Sequence, residues 1–210
     1  MSKQLIVDYM PFEVTPQQIN ESITENDGRL IVKGTLQRAN AKNQNGRIYP
    51  KETLMREAEN YAGTQIKERR ALGELDHPDS SVVNLNNVSH NVLEMHWKGD
   101  DLVGTVEVLG TPAGNILKEL FKSGIKLGIS SRGLGSVEEI NEGDGHDPVV
   151  KVQPDFELIA FDFVSNPSTH GAFLSPTNEG KLNEGVGTRN GKCCHDCKIE
   201  DIIHDIFRGE

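Results

Sequence analysis

Residues with high β propensity concentrate in short runs along the chain, and in the first run they alternate in part with polar residues. A polar N-terminal stretch precedes these runs, and residues that favour turns separate them. We predict strands within residues 29–41, 87–97, 102–109, 125–129, 148–152 and 156–164. The polar connection Lys98-Gly99-Asp100-Asp101 suits a hairpin between the second and third of these strands.

Two segments have helical periodicity instead. Residues 51–62, KETLMREAENYA, follow Pro50, a residue that suits the first helical position. Residues 113–122 place their apolar side chains on one helical face: Ile116, Leu117, Leu120 and Phe121. Because strands dominate, the expected fold class is α+β, mainly antiparallel β.

The composition changes near the C-terminus. We expect one folded domain over residues 1–176, a linker over residues 177–192, and a cysteine-containing tail with a short amphipathic helix over residues 193–210. Cys194 and Cys197 form one C-x-x-C pair, but no second pair follows at zinc-site spacing. We therefore expect no metal site and no cofactor.

Charge and hydropathy exclude several classes of protein. The 210 residues carry a formal net charge of −10, whereas proteins that bind a phosphate backbone need a clustered excess of Lys and Arg. No apolar run approaches the roughly 18 residues of a transmembrane helix. We expect a soluble protein with neither nucleic acid nor membrane as a partner. The three clustered cysteines fit a reducing compartment.

Two segments carry candidate chemistry. Residues 71–78, ALGELDHP, hold His77 between an acid and a proline, and residues 128–136, GISSRGLGS, combine hydroxyls and glycines directly after a predicted strand. A serine with a histidine base is an acyl-transfer nucleophile, and a glycine-rich loop can aim backbone N–H groups at an oxyanion. A plain turn and a surface histidine are the commoner explanation of such segments. Neither segment matches a P-loop or a nucleophile elbow.

These two segments, taken with NQNGRIYPK at residues 43–51, resemble the prohead core protease family of T-even-type tailed phages. The order of the three blocks and the distances between them also match, from about Arg38 to Pro176. The resemblance implies a serine endopeptidase of the herpesvirus-assemblin type, with a closed β-barrel flanked by a few helices. Its substrates and partners would be phage scaffold, core and capsid proteins.

The resemblance also implies where the protein would act, and one other function competes with the protease. Such a protease would work inside the phage prohead in the host cytoplasm, and we expect a homo-oligomer. The alternative is a non-catalytic capsid-assembly or tube-like β-barrel protein that keeps the fold without the activity.

The catalytic residues implied by the resemblance follow its motifs. The histidine falls on His77, and the nucleophile falls in the Ser130-Ser131 pair, where we favour Ser130 and keep Ser131 as the alternative. For the third member we favour Asp162, an acid that could orient His77, over His170. Oxyanion support would come from Arg132 and from the N–H of Gly133.

Asp162 also stands out without the resemblance, since it lies between two phenylalanines on an apolar predicted strand. A carboxylate there is costly unless a partner satisfies it. The simpler possibility is that Asp162 faces solvent while Phe161 and Phe163 point inward.

Proteases of this family cut after Glu with Ile or Leu two residues earlier. Leu182-Asn183-Glu184 fits that rule within the predicted linker, and Ile19-Asn20-Glu21 fits near the N-terminus. An extended segment can enter an active site. We therefore expect a zymogen that processes itself, chiefly after Glu184 and also after Glu21.

Overall fold

The computed structural model describes residues 3–140 and 149–165. In these ranges the strands are β1 (Gln4–Phe12), β2 (Leu30–Arg38), β3 (Arg47–Ile48), β4 (Leu72–Glu74), β5 (Val88–Lys98), β6 (Asp101–Val108), β7 (Leu127–Gly135), β8 (Val137–Ile140), β9 (Val149–Val152) and β10 (Glu157–Val164). The helices are α1 (Pro16–Glu25), α2 (Lys51–Tyr61) and α3 (Pro112–Lys122), and a π-helical turn, Ala62–Ile66, continues α2. None of these helices is long and apolar enough to cross a membrane.

The strands form three sheets, with strand orders β1-β7-β10, β2-β6-β5-β4 and β3-β9-β8. All strand pairs are antiparallel except β3 with β9. This confirms a mixed α+β fold that is mainly antiparallel. The closed barrel is not found, because among the described strands only an isolated bridge between Leu75 and Phe163 links the first sheet to the second, and β1 and β2 share no ladder.

The sequence patterns located most central elements but missed the N-terminal ones. The predicted helix at residues 51–62 and the predicted hairpin correspond closely to α2 and to β5 with β6. The polar N-terminal stretch instead contains β1 and α1. Thr15 caps α1 by a reciprocal exchange with Gln18, and Pro16 occupies the first turn.

Helix α1 changes the expectation for Glu21. This residue lies inside the helix, where its carboxylate accepts a hydrogen bond from Gln17 Nε2 at 2.7 Å, and Ile19 is fully buried. The expectation of an extended segment there is wrong. Cleavage after Glu21 would require α1 to unfold first.

The GISSRGLGS segment is the centre of a sheet rather than a loop that follows a strand. Strand β7 runs through Gly135, with β1 on one side and β10 on the other. Its glycines make room for aromatic rings, since a Cβ at Gly128 would overlap the Tyr9 ring and a Cβ at Gly133 would overlap Phe156. The expected glycine-rich loop was wrong because packing, not turn formation, requires these glycines.

The main core packs around β7, β10 and the second sheet. Phe163 makes edge-on ring contacts with Phe12, Phe121 and His90, at centroid distances of 5.1, 5.4 and 4.7 Å. Helix α3 contributes Leu117 and Phe121 to the interior. Its predicted apolar face is only partly buried, because Ile116 is 56% exposed.

Candidate active site

The two candidate nucleophiles lie on opposite faces of β7, because successive side chains alternate along a strand. Ser130 pairs across the sheet with Tyr9 and Asp162, and it shares their face with Arg132 two residues later. Ser131 shares the other face with Ile129, which is fully buried in the core. Only one of the two hydroxyls can therefore face a base on a given side of the sheet.

Ser131 is engaged on the core side of the sheet. Gln37 Nε2 donates a hydrogen bond to Ser131 Oγ at 2.7 Å, which ties β7 to β2. Both side chains are about 1% exposed. The carboxylate opposite Ser131, on Asp8 of β1, is occupied by other donors, so this buried hydroxyl has the surroundings of a structural residue.

His77 lies in a segment that leaves the end of β4 beside β10; we call residues 75–87 the His77 segment. The Asp76 N–H donates to the Phe163 carbonyl at 2.8 Å, and Asp76 has a left-handed φ of 64°. Asp tolerates this conformation better than most residues, and it turns the chain sharply before His77. The Asp76 backbone therefore lies beside β10, two strand spacings, about 10 Å, from β7.

The His77 segment crosses the Ser130 face of the sheet. Arg132, on that face, donates from Nη1 to the carbonyl oxygen of Ser80 at 2.7 Å. Ser130 Oγ and His77 Nδ1 are both buried and have no hydrogen-bond partner among the described residues. Buried polar atoms are nearly always paired, so each of these two unpaired atoms calls for an explanation.

Asp162 has partners other than His77. Its Oδ2 accepts from Arg132 Nε at 2.8 Å, and its Oδ1 accepts from Arg132 Nη2 at 3.1 Å and from the backbone N–H of Glu74 at 3.0 Å. Within the described residues, neither oxygen accepts a hydrogen bond from His77. Asp162 is fully buried, which also contradicts the solvent-facing possibility, while Phe161 and Phe163 do point into the core.

Burial raises the pKa of the Asp162 carboxyl above its usual value, although the adjacent Arg132 guanidinium opposes this rise. In this structure Asp162 orients Arg132 rather than the imidazole. The reason is geometric, because Asp162 and Arg132 are diagonal neighbours on the same face of adjacent strands.

The Arg132 guanidinium binds buried groups of the protein rather than facing an oxyanion. Its side chain is 0% exposed, and besides Asp162 and Ser80 it donates from Nη2 to Glu74 Oε1 at 3.0 Å. Sequence reasoning missed Glu74 as a partner. The available signal was an acid inside the partly apolar stretch that leads to His77.

Gly133 pairs with Ile6 on one side and Leu158 on the other. The ladder between β7 and β10 is irregular between Leu158 and Ala160, opposite Gly133 and Arg132. Such a bulge locally interrupts pairing and is common near active sites. The extra residue lies on β10, so the pairing of β7 with β10 is interrupted beside Gly133.

The NQNGRIYPK block packs behind the site, against β1. Asn43 Oδ1 accepts from the backbone N–H groups of Asn45 and Arg47, which fixes the turn. Asn45 and Arg47 both donate to Asp8 Oδ1, at 2.6 and 2.9 Å, and the Tyr49 hydroxyl donates to Asp8 Oδ2. Because Asp8 pairs with Ser131 across the sheet, this block supports β7 from the face opposite Ser130.

Several predicted features lie outside the described residues: His170, Glu184, the linker and the cysteine-containing tail. Within the described ranges, no group of three or more His, Cys, Asp or Glu side chains could hold a metal ion.

Comparisons with known proteins agree with the resemblance of the three blocks. Residues 6–184 match the family described as prohead core protein serine protease. A curated relative, the prohead core protein protease of Enterobacteria phage T4, is 33% identical over 150 residues, which cover 70% of this chain and 68% of the relative.

A solved structure, that of the bacteriophage T4 capsid assembly protease, superposes with a TM-score of 0.66 and 29% sequence identity. The match covers 78% of this chain and 99% of that structure. The family match spans most of the chain, including β7 and the His77 segment, so the chain belongs to the prohead core protein serine protease family of peptidases.

Proposed function

We propose that this protein is a serine endopeptidase that cleaves scaffold, core and capsid proteins after Glu during phage head maturation. The observation that carries the proposal is the placement of Ser130. Its unpaired Oγ lies on the face of β7 that the His77 segment crosses, whereas Ser131 faces the core and binds Gln37. The names of the T4 relatives support the prohead and the capsid as its place of action.

The proposed reaction is acyl transfer to Ser130. His77 takes the Oγ proton as Oγ bonds to the peptide carbonyl carbon, and the C–N bond breaks as His77 returns that proton to the leaving amine. Water, deprotonated by His77, then attacks the acyl carbon, and the bond from that carbon to Oγ breaks as His77 returns the proton to Oγ. Backbone N–H groups near the bulge at Gly133 would stabilise the oxyanion, with Arg132 acting indirectly because its guanidinium is occupied.

The third catalytic member stays open in this proposal. Asp162 binds Arg132, so an orienting role toward His77 would require it to exchange partners. His170 is the other candidate, by analogy with the second histidine of assemblins, and the assemblin relationship itself belongs to the proposal.

Labelling by a fluorophosphonate tests the assignment of Ser130. We expect the full chain to gain one adduct by intact mass, and peptide mapping to place it on Ser130, because the probe reacts only with a serine that a base activates. His77→Ala should prevent labelling. An adduct on Ser131, or none on a chain that cleaves its substrate, contradicts the assignment.

We further propose that the protein is a zymogen that processes itself chiefly after Glu184. Ser130 is 1% exposed, so a peptide reaches Oγ only after a rearrangement, which supports a precursor form. On activation, intact mass should show a product ending at Glu184, and Glu184→Gln should prevent it. Failure of that product to form while other substrates are cut would contradict self-processing at this site.

The remaining parts of the proposal concern setting and assembly. The enzyme would act inside the prohead in the host cytoplasm, with scaffold and capsid proteins as partners and with itself as a homo-oligomer. The T4 relative named as a capsid assembly protease supports this setting.

A further inference from the structure

Arg132 stands at the centre of a buried ion cluster formed with Asp162 and Glu74, which we call the Arg132 cluster. We propose that the Arg132 cluster is a positioning device that fixes the His77 segment relative to Ser130. The inference rests on the proposed function for the role of His77 as a base. It assigns Arg132, Asp162 and Glu74 to positioning rather than to contact with substrate.

The cluster joins three separate parts of the chain. Arg132 comes from the same strand as Ser130, Asp162 from the neighbouring β10, and Glu74 from the residue before the His77 segment. Arg132 binds both carboxylates and also the Ser80 carbonyl, three residues beyond His77. A single guanidinium therefore holds the segment on both sides of the histidine.

Glu74 extends the attachment along the same segment. Its Oε1 accepts from the backbone N–H of Asn84 at 3.0 Å as well as from Arg132 Nη2. The segment is consequently tied down at Asp76, Ser80 and Asn84. Among the described residues, Ser80 is the one position between His77 and Val83 at which a hydrogen bond joins the segment to the rest of the fold.

Apolar packing does little to hold this segment. Val82 and Leu85 are each 72% exposed, so the part beyond His77 has no large buried side chain to anchor it. Segments with few buried apolar contacts open easily. Leu75 and the Asp76 N–H hold the chain before His77, so beyond His77 its position depends on the polar ties that Arg132 and Glu74 provide.

The energetic cost of the cluster also argues for a function. One cation and two acids have been removed entirely from water, and Glu74 Oε2 has no hydrogen-bond partner among the described residues. Well-packed apolar residues often stabilise a fold as well as or better than such buried ion pairs do. Stability alone therefore does not explain this cluster. The directional donors of arginine do suit a cluster that fixes the geometry of the groups around it.

The test is Arg132→Lys in the full chain. Lysine keeps the positive charge but cannot reach two carboxylates and the Ser80 carbonyl together. The matched control is Arg38→Lys, because Arg38 also binds one carboxylate through two nitrogens, at Asp101, but lies at an exposed site. Cleavage of a Glu-containing peptide is measured alongside amide hydrogen exchange of residues 78–86.

We expect Arg132→Lys to lower kcat at least about 10-fold with KM within about threefold, since small misplacements of a catalytic group are costly. Exchange at residues 78–86 should accelerate, and Arg38→Lys should change neither quantity. Unchanged exchange, an unchanged kcat, or a higher kcat in Arg132→Lys would overturn the proposal.

Asp162→Asn provides a second variant that removes a charge while keeping the shape of the side chain. We expect a lower kcat at every pH and faster exchange, because Asp162 acts through Arg132. A shift of the acid limb of the kcat profile without faster exchange would show that Asp162 acts directly on His77, and would overturn the inference. Because exchange does not depend on activity, an inactive wild-type chain would contradict only the proposed function.

Discussion

Replacement of Ser130 by alanine should abolish peptide cleavage, lowering kcat by about 10⁴-fold or more, because it removes the atom that bonds to the substrate carbonyl. The fold should persist, since Ser130 Oγ makes no hydrogen bond to any described residue. Steady-state cleavage of a Glu-containing peptide gives the loss in kcat. The midpoint of denaturant unfolding shows whether the variant remains folded.

Ser131→Ala is the matched control, since it removes the same atom one residue away on the opposite face. It should keep kcat within about 10-fold, yet lose about 1–3 kcal/mol of unfolding free energy because Gln37 Nε2 loses its acceptor in the interior. The reverse pattern, an active Ser130→Ala and a folded but inactive Ser131→Ala, would transfer the nucleophile to Ser131.

The local pattern of apolar and polar residues was enough to predict elements that bury one face and expose the other. Helix α2 and the hairpin of β5 and β6 follow from apolar spacing and a polar connection, both of which are local properties. Helix α1 was also predictable, because Thr15 and Gln18 have the spacing of a capping box and Pro16 suits the first turn. The polar composition of α1 obscured that signal.

The strand β7 was only half predictable, because its serines and glycines have low intrinsic β propensity. Pairing on both sides overrides that preference. Propensity is weak wherever tertiary contacts decide the backbone, and a central strand is the extreme case. The resemblance singled out residues of this strand, while local pattern gave them the wrong conformation.

The partners of Asp162 could not be derived from sequence. The sequence shows an unusual carboxylate between two phenylalanines. In the structure that carboxylate is hydrogen-bonded, but by Arg132 and the Glu74 N–H. These groups lie 30 and 88 positions away along the chain. Residue type alone makes His77 and Arg132 equally plausible partners, and only strand register decides between them.

A large loss of stability is expected at Gly73, on β4 immediately before Glu74. A Cβ added there would overlap both the Phe161 carbonyl oxygen and the His90 imidazole. His90 cannot move away easily, because Nε2 donates to that same carbonyl at 2.9 Å and Nδ1 accepts from Ser89 Oγ at 2.8 Å. Burial lowers the pKa of His90 to about 4, so the ring is neutral near pH 7.

Gly73→Ala should therefore force β4 away from β10 and lower the unfolding free energy by about 3 kcal/mol, at the upper end of the usual cost of overpacking. Denaturant unfolding at pH 7 measures the loss. Gly63→Ala is the matched control, because Gly63 lies in the π-helical turn with nothing within 4 Å of an added Cβ. That substitution should raise stability by about 0.5–1 kcal/mol. Equal stability of the two variants would mean that β4 does not pack against β10 as closely as the Gly73 contacts require.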